Sequence, residues 1–213
     1  MKLIDAHARL KKIAPVFRTA DVMAYLDIKK EHASRLLSRL EDSNHIVRIK
    51  RGLWVFPEEL DPLALPEYLT APFPCYISMQ SALYYHGMIS QIPAITYSVS
   101  LARTHIYKTS LGTFSIHHIT PSFFFDYEPV GKSGIKMATP EKALLDFLYL
   151  GSAKSKLFRY LPELELPQKF NVRGAHQMIH RISHPGRRTL LEKRFQELIT
   201  RLKKCEKAAS SRN

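Results

Sequence analysis

Leu3, Ala6, Leu10 and Ile13 recur at helical spacing, with Arg9, Lys11 and Lys12 on the other faces, and predict an amphipathic helix over 3–13. Pro15 ends it, because a residue before proline is pushed out of the helical region. A second helix is expected from Thr19, whose hydroxyl suits an N-cap, with Asp21 in the first turn, where the helix dipole favours an anion. Val22, Met23, Tyr25 and Leu26 form its apolar side, and Asp27-Ile28 the closing turn. A third helix is expected from about Lys30 to Glu41. Its Ala33, Leu36, Leu37 and Leu40 make one apolar stripe. The opposite face offers Lys29, Lys30, His32, Ser34, Arg35, Ser38 and Arg39. Ser and His add little to a merely solvated face, but they serve where a groove must be approached closely and hydrogen-bonded.

After Asn44 the period changes. Ile46–Ile49 and Leu53–Phe56 are β-type runs around the basic tip Lys50-Arg51-Gly52, with Arg48 on the first run. Helices in this order, followed by a basic hairpin, are the plan of a winged helix-turn-helix. In that module one helix enters the major groove and the hairpin touches the flanking backbone. Residues 58–72 hold Glu58, Glu59, Asp61, Pro62, Pro66 and Pro72 and are expected as an extended linker.

A second unit begins at Cys75-Tyr76-Ile77. Ser78 is the expected cap of a helix over 79–86, with Gly87 at its C′ position. Alternation over 97–101 and 113–117 predicts strands. Phe123-Phe124-Phe125 is a third β-prone run, and 135–138 a fourth. Thr139-Pro140-Glu141 is an N-cap, a proline at N1 and a first-turn acid. It opens a strongly apolar helix over 141–150 that Gly151 ends. Asn171 is the expected cap of a helix over 172–182. Thr189 and Glu192 have capping-box spacing for a last helix over 190–204, with Leu191, Phe195, Leu198 and Leu202 as its apolar stripe. Residues 208–213 are expected as a disordered tail. The expectation is an α+β chain: a winged helix-turn-helix at 1–57, a linker at 58–72, and at 73–207 a mixed α/β domain with a small, mainly antiparallel sheet and basic C-terminal helices.

Charge sharpens this picture. The 213-residue chain has a formal net charge of +13, which favours an anionic partner. Residues 1–57 carry +6, residues 58–151 carry −3 and residues 152–213 carry +10. Arg187, Arg188, Lys193, Arg194 and Arg201 are therefore candidates for a second nucleic-acid or partner contact. Cys75 and Cys205 form no CxxC pair, and no apolar run of membrane-spanning length or signal-peptide core appears, so a cytoplasmic protein away from membranes is expected.

Catalytic motifs are sparse. GxSxG, P-loop and GxGxxG patterns are absent, and no cofactor is expected. His176 and His180 share a helical face but lack the glutamate of a zinc-protease helix. His117 and His118 point to opposite faces of a strand. Asp126 and Glu128 lack the downstream Glu-x-Lys of a nuclease. No metal site or catalytic residue is therefore expected. Core packing accounts for most aromatics of the middle unit, although Tyr84-Tyr85 and Phe123–Phe125 cannot all face one core, which hints at a partner surface.

The stretch Tyr-Ile-Ser-Met-Gln-Ser-Ala-Leu-Tyr-Tyr-His-Gly-Met at 76–88 and Lys-Met-Ala-Thr-Pro-Glu-Lys-Ala-Leu-Leu-Asp-Phe-Leu-Tyr-Leu at 136–150, behind a winged helix, resemble the AbiEi family. The resemblance spans roughly 3–150. It implies an antitoxin and autorepressor of a type IV abortive-infection pair, acting in phage defence. Its N-terminal domain would bind inverted repeats of double-stranded DNA in its own promoter. Its C-terminal domain would oppose a cognate nucleotidyltransferase-like toxin, by a stable complex or without one. DNA contact then falls on Lys30, His32, Ser34, Arg35, Ser38, Arg39, Lys50 and Arg51. The rival readings are a stand-alone regulator whose second domain senses a ligand or dimerises, and, last, a nucleic-acid-processing enzyme.

Overall fold

The computed structural model describes residues 3–131, 133–151 and 163–210, with side chains to Lys204. Helix α1 (Leu3–Leu10) buries Ala6 and Leu10. Residues 11–13 form a turn, so the helix ends before Ile13. Strand β1 (Val16–Arg18) follows, an element too short for alternation to announce. Helix α2 (Thr19–Leu26) starts at Thr19 itself. The expected cap is corrected: Asp21 Oδ2 accepts from the Arg18 N–H at 2.6 Å, while the Thr19 hydroxyl accepts from Trp54 Nε1 at 3.0 Å. Asp27 closes α2 in the left-handed region, at φ 52°. Helix α3 (Lys30–Asp42) buries Ala33, Leu36, Leu37 and Leu40, as its stripe requires.

Strands β2 (Val47–Lys50) and β3 (Leu53–Val55) form an antiparallel hairpin, and β3 also pairs with β1, giving the order β1-β3-β2. Phe17, Trp54 and Phe56 pack with the helices in one core. The other face of the same sheet is also covered. Val16, Ile49, Leu53 and Val55 join Leu65, Leu69 and Phe114 of the following segments. This arrangement is consistent with a winged helix.

Residues 58–72 are not extended. Asp61 caps a 3₁₀ turn over Pro62–Ala64, accepting from the Leu63 N–H at 2.9 Å, and helix α4 (Leu65–Thr70) continues from it. Prolines in a first turn cost no hydrogen bond, and Leu65 and Leu69, four apart, supply a side that is buried.

The second unit adds β4 (Cys75–Ile77), α5 (Met79–Tyr85), β5 (Thr96–Ser100), β6 (His105–Thr109), β7 (Gly112–His118), β8 (Tyr127–Val130) and β9 (Ile135–Ala138). Its sheet has six strands in the order β6-β7-β5-β4-β9-β8. The pairs β4–β5, β6–β7 and β8–β9 are antiparallel, whereas β5–β7 and β4–β9 are parallel. The sheet is thus larger and more mixed than the small, mainly antiparallel one expected. Alternation reports which face is buried, not which strand lies alongside. Phe123–Phe125 is no strand: Pro121–Phe123 is a 3₁₀ turn that buries Phe123.

Helix α6 (Pro140–Leu150) is buried from Glu141 through Tyr149 and is the spine of the unit. Thr139 caps it, its hydroxyl accepting from the Lys142 N–H at 3.3 Å. Helix α7 (Val172–His180) is capped by Asn171, which accepts from the Gly174 N–H at 2.8 Å. Helix α8 (Pro185–Ser210) begins earlier than expected, with proline in its first turn. Thr189 is therefore interior and bonds back to the Pro185 carbonyl at 3.1 Å, and no capping box forms. Residues 208–210 are helical, whereas 211–213 of the expected tail lie outside the described residues. Leu191, Phe195 and Leu198 seat α8 against α6 and α7, a contribution of about 1.5–3 kcal/mol for each large apolar side chain buried.

Candidate nucleic-acid interface

The apolar stripe of α3 turns inward against α1, α2 and Trp54, which leaves its polar side outward. Lys29, Lys30, His32, Ser34, Arg35, Ser38 and Arg39 are all exposed. Among the described residues, no carboxylate lies within ion-pair reach of Lys29, Lys30, Arg35, Arg39 or Arg51. Arg35 and Arg39 sit one turn apart on this side. A cationic face whose charges are not answered among the described residues is suited to phosphate and to the acceptors of base edges.

At the hairpin the candidates diverge. Arg51 is exposed in a turn that Gly52 completes at φ +74°. Arg48 is exposed, with its guanidinium 6.0 Å from the Trp54 ring. Lys50 is half-buried and faces the second unit. Its Nζ donates to the Leu69 carbonyl at 2.9 Å and lies 5.8 Å from the Tyr107 ring. Burial, aided by Arg18, lowers its ammonium pKa below the usual lysine value. The cause is a β-bulge. Arg48 lies opposite Trp54, but the register shifts so that Lys50 lies opposite Leu53, on the other side of the sheet from Arg48. Strict alternation would have kept Arg48 and Lys50 together. Arg18, exposed and opposite Leu53, is a cation of the same hairpin region that the sequence reading passed over, because β1 went unseen.

The C-terminal cations are similarly divided. Arg187 donates to the Tyr149 hydroxyl at 2.8 Å, and Arg194 donates to the Leu148 carbonyl at 3.2 Å. Both tie α8 to the last turn of α6, where a cation offsets the unsatisfied carbonyls. Arg188 is half-buried, while Lys193 and Arg201 are exposed on α8.

The remaining candidates fall into structural roles. His176 Nδ1 meets Glu192 Oε1 at 2.6 Å and its ring packs edge-on against Phe195, while His180 is exposed. His117 is buried, its Nε2 2.8 Å from the Ser115 hydroxyl, and burial lowers its pKa to about 4. His118, on the other face, is exposed. Asp126 accepts from the Thr139 hydroxyl at 2.5 Å and so supports the α6 cap, apart from the exposed Glu128. Among the described residues, no group of three or more His, Cys, Asp or Glu side chains is placed to hold a metal. Burial raises the Cys75 thiol to about 12. No helix of the described residues is long and apolar enough to cross a membrane.

One buried polar network lies outside the sequence-based expectations. Lys142 and Asp146 are both fully buried and ion-paired across one turn of α6. Asp146 Oδ2 also accepts from the Tyr76 hydroxyl at 3.0 Å and from Ser78 Oγ at 2.8 Å, so Ser78 binds α6 rather than capping α5. Burial and the Asp146 charge raise the Tyr76 phenol well above its usual value. The available signal was a Lys and an Asp four apart in an otherwise apolar helix. With neither side chain exposed, the network joins α6 to β4.

Residues 6–57 match the model of a family described as transcriptional regulator, AbiEi antitoxin. The match agrees with the family resemblance over those residues, which run from within α1 past β3 and include the outward face of α3. No curated protein matches the chain.

Proposed function

We propose, on the premise that residues 6–57 are an AbiEi-type regulator module, that the chain is a DNA-binding antitoxin that represses its own promoter through inverted repeats. The observation that carries this reading is the exposed side of α3, whose Lys29, Lys30, Arg35 and Arg39 meet no carboxylate among the described residues. In this reading the module is a winged helix-turn-helix. Helix α3 enters the major groove, with Arg35 reading a base edge and Lys30, His32, Ser34, Ser38 and Arg39 supporting it. The β2–β3 hairpin is the wing, and Arg51 and Arg48 hold backbone phosphate. The second unit opposes a nucleotidyltransferase-like toxin, and the pair acts in phage defence from the cytoplasm.

A mobility-shift titration of the full chain on the DNA upstream of its own gene, against a random duplex of equal length, tests the DNA half. Tighter binding to the upstream duplex is expected; equal binding to both removes the repressor reading. Co-expression with the adjacent open reading frame tests the other half. Growth arrest by that frame alone, relieved by this chain, is expected. A neighbour with no effect on growth leaves the stand-alone regulator in its place.

A further inference from the structure

The two units meet along the outer face of the wing sheet. Ile49, Leu53 and Val55 pack with Leu65, Leu69 and Phe114, so α4 is wedged between the wing and strand β7 of the large sheet. One polar tie is set at the edge of this apolar seam. The Lys50 ammonium donates to the Leu69 carbonyl at 2.9 Å and lies 5.8 Å from the Tyr107 ring. Tyr107 in turn directs its hydroxyl to the same carbonyl, at 3.5 Å. A carbonyl near the end of α4 carries the negative end of the helix dipole, which suits an ammonium. The bulge between Arg48 and Lys50 turns Lys50 to this seat. A lysine held by a carbonyl and a ring on the far side of its sheet is withdrawn from a phosphate that its neighbour Arg51 can reach.

We propose that Lys50 is a positioning residue. It makes no DNA contact; it fastens the wing to the second unit through Leu69 and Tyr107, and so fixes the angle at which Arg51 meets the phosphate backbone. The proposal rests on the DNA-binding reading above and deepens it: the second unit becomes part of the DNA-reading apparatus without touching DNA. It also assigns a role in binding to Tyr107, a residue of the large sheet outside the matched module.

Phosphate contact and positioning differ in their response to salt. Each phosphate neutralised contributes about one to the slope of log affinity against log salt, and a positioning residue contributes nothing to it directly. The experiment compares the full chain with Lys50→Met, Tyr107→Leu, Tyr107→Phe, Arg51→Ala and the Lys50→Met/Tyr107→Leu pair. The probe is the upstream duplex, titrated by fluorescence anisotropy from low to moderate salt. Lys50→Met and Tyr107→Leu are each expected to weaken binding about tenfold at an unchanged slope, with the double variant no weaker than either alone. Tyr107→Phe keeps the ring but loses the hydroxyl bond to the Leu69 carbonyl, and should fall between the parent and Tyr107→Leu at an unchanged slope. Arg51→Ala should lower the slope by about one.

Hydrogen exchange of the α4 and β2–β3 amides gives a readout without DNA. Lys50→Met and Tyr107→Leu should speed exchange along this seam alike, with thermal melts confirming that each variant is folded. A slope lowered by about one in Lys50→Met would mean that Lys50 holds phosphate and would overturn the proposal, as would parental affinity and exchange in folded Tyr107→Leu. Failure of the parent chain to prefer the upstream duplex removes the DNA-binding reading itself, and the proposal with it.

Discussion

The ammonium of Lys142 lies 3.8 Å from the centre of the Phe123 ring and is ion-paired with Asp146 one turn further along α6, with no exposed surface on either charged side chain. Taking two charges out of water is costly, and their attraction offsets that cost only while both remain and their other hydrogen bonds are met. Here Tyr76 and Ser78 meet those of Asp146, and aromatic faces receive the cation. Removing one partner should therefore be far worse than removing both. Asp146→Ala is expected to lose about 3–5 kcal/mol of stability in urea titration, whereas Lys142→Met with Asp146→Leu should lose less, its remaining cost coming from the Tyr76 and Ser78 hydroxyls left without their acceptor. Equal losses in the single and double variants would show that the pair does not act as a unit.

His117 gives a pH dependence whose direction is fixed by its burial. Its folded-state pKa is lowered to about 4, below the ordinary value of 6.5. Above about pH 6.5 the ring is neutral in folded and unfolded chain alike, and it contributes no slope. As pH falls from there towards about 4, the unfolded chain gains a proton that the folded chain refuses, so stability drops. Urea midpoints measured across that window should fall with acid in the parent, and less steeply in His117→Gln. A parallel pair of curves would assign the acid sensitivity to other groups.

On DNA, Arg35 and Arg51 should behave differently. If Arg35 reads a base, Arg35→Ala should cost about 1–3 kcal/mol on the upstream duplex and little on a random one. If Arg51 holds phosphate, Arg51→Ala should weaken both duplexes alike. Equal loss on both duplexes for Arg35→Ala would place Arg35 on the backbone instead.

Gly52 completes the hairpin tip at φ +74°, and a Cβ there would meet nothing nearer than the Thr19 hydroxyl at 3.9 Å. The cost of Gly52→Ala is therefore conformational rather than steric, about 1–2 kcal/mol in thermal or urea unfolding. A much larger loss would mean that the turn has no room to relax.

The elements that sequence reading recovered are those whose periodicity is long or whose punctuation is explicit. Helix α3 shows a full apolar stripe, and α6 has Thr139 and Pro140 at its start and Gly151 at its end. The misses are short or depend on distant partners. Strand β1 is three residues long, and β6 and β8 lie on the two edges of the large sheet, where burial imposes little pattern. Helix α4 was hidden because its prolines read as a linker, although proline in a first turn is compatible with helix. The outward side of α3 was legible because one amphipathic helix determines it. The fate of Lys50 was not, since it follows from a bulge and from a carbonyl nineteen residues away. Local spacing predicts Thr19 and Ser78 as caps, but their hydroxyls serve Trp54 and Asp146, which are remote in sequence.

The wedge of α4 between wing and large sheet has a consequence for two copies on one operator. A flexible tether would let each second unit swing around the duplex, making the distance between half-sites unimportant. If two copies bind inverted repeats as proposed, the seam packed on both sides would make each copy project its second unit at a set azimuth about the DNA axis. Inserting about 5 bp between the half-sites would then send the two second units to opposite sides of the duplex, and inserting about 10–10.5 bp would restore their alignment. Contact between copies would therefore depend on helical phase, and repression would rise and fall with spacer length rather than decline smoothly.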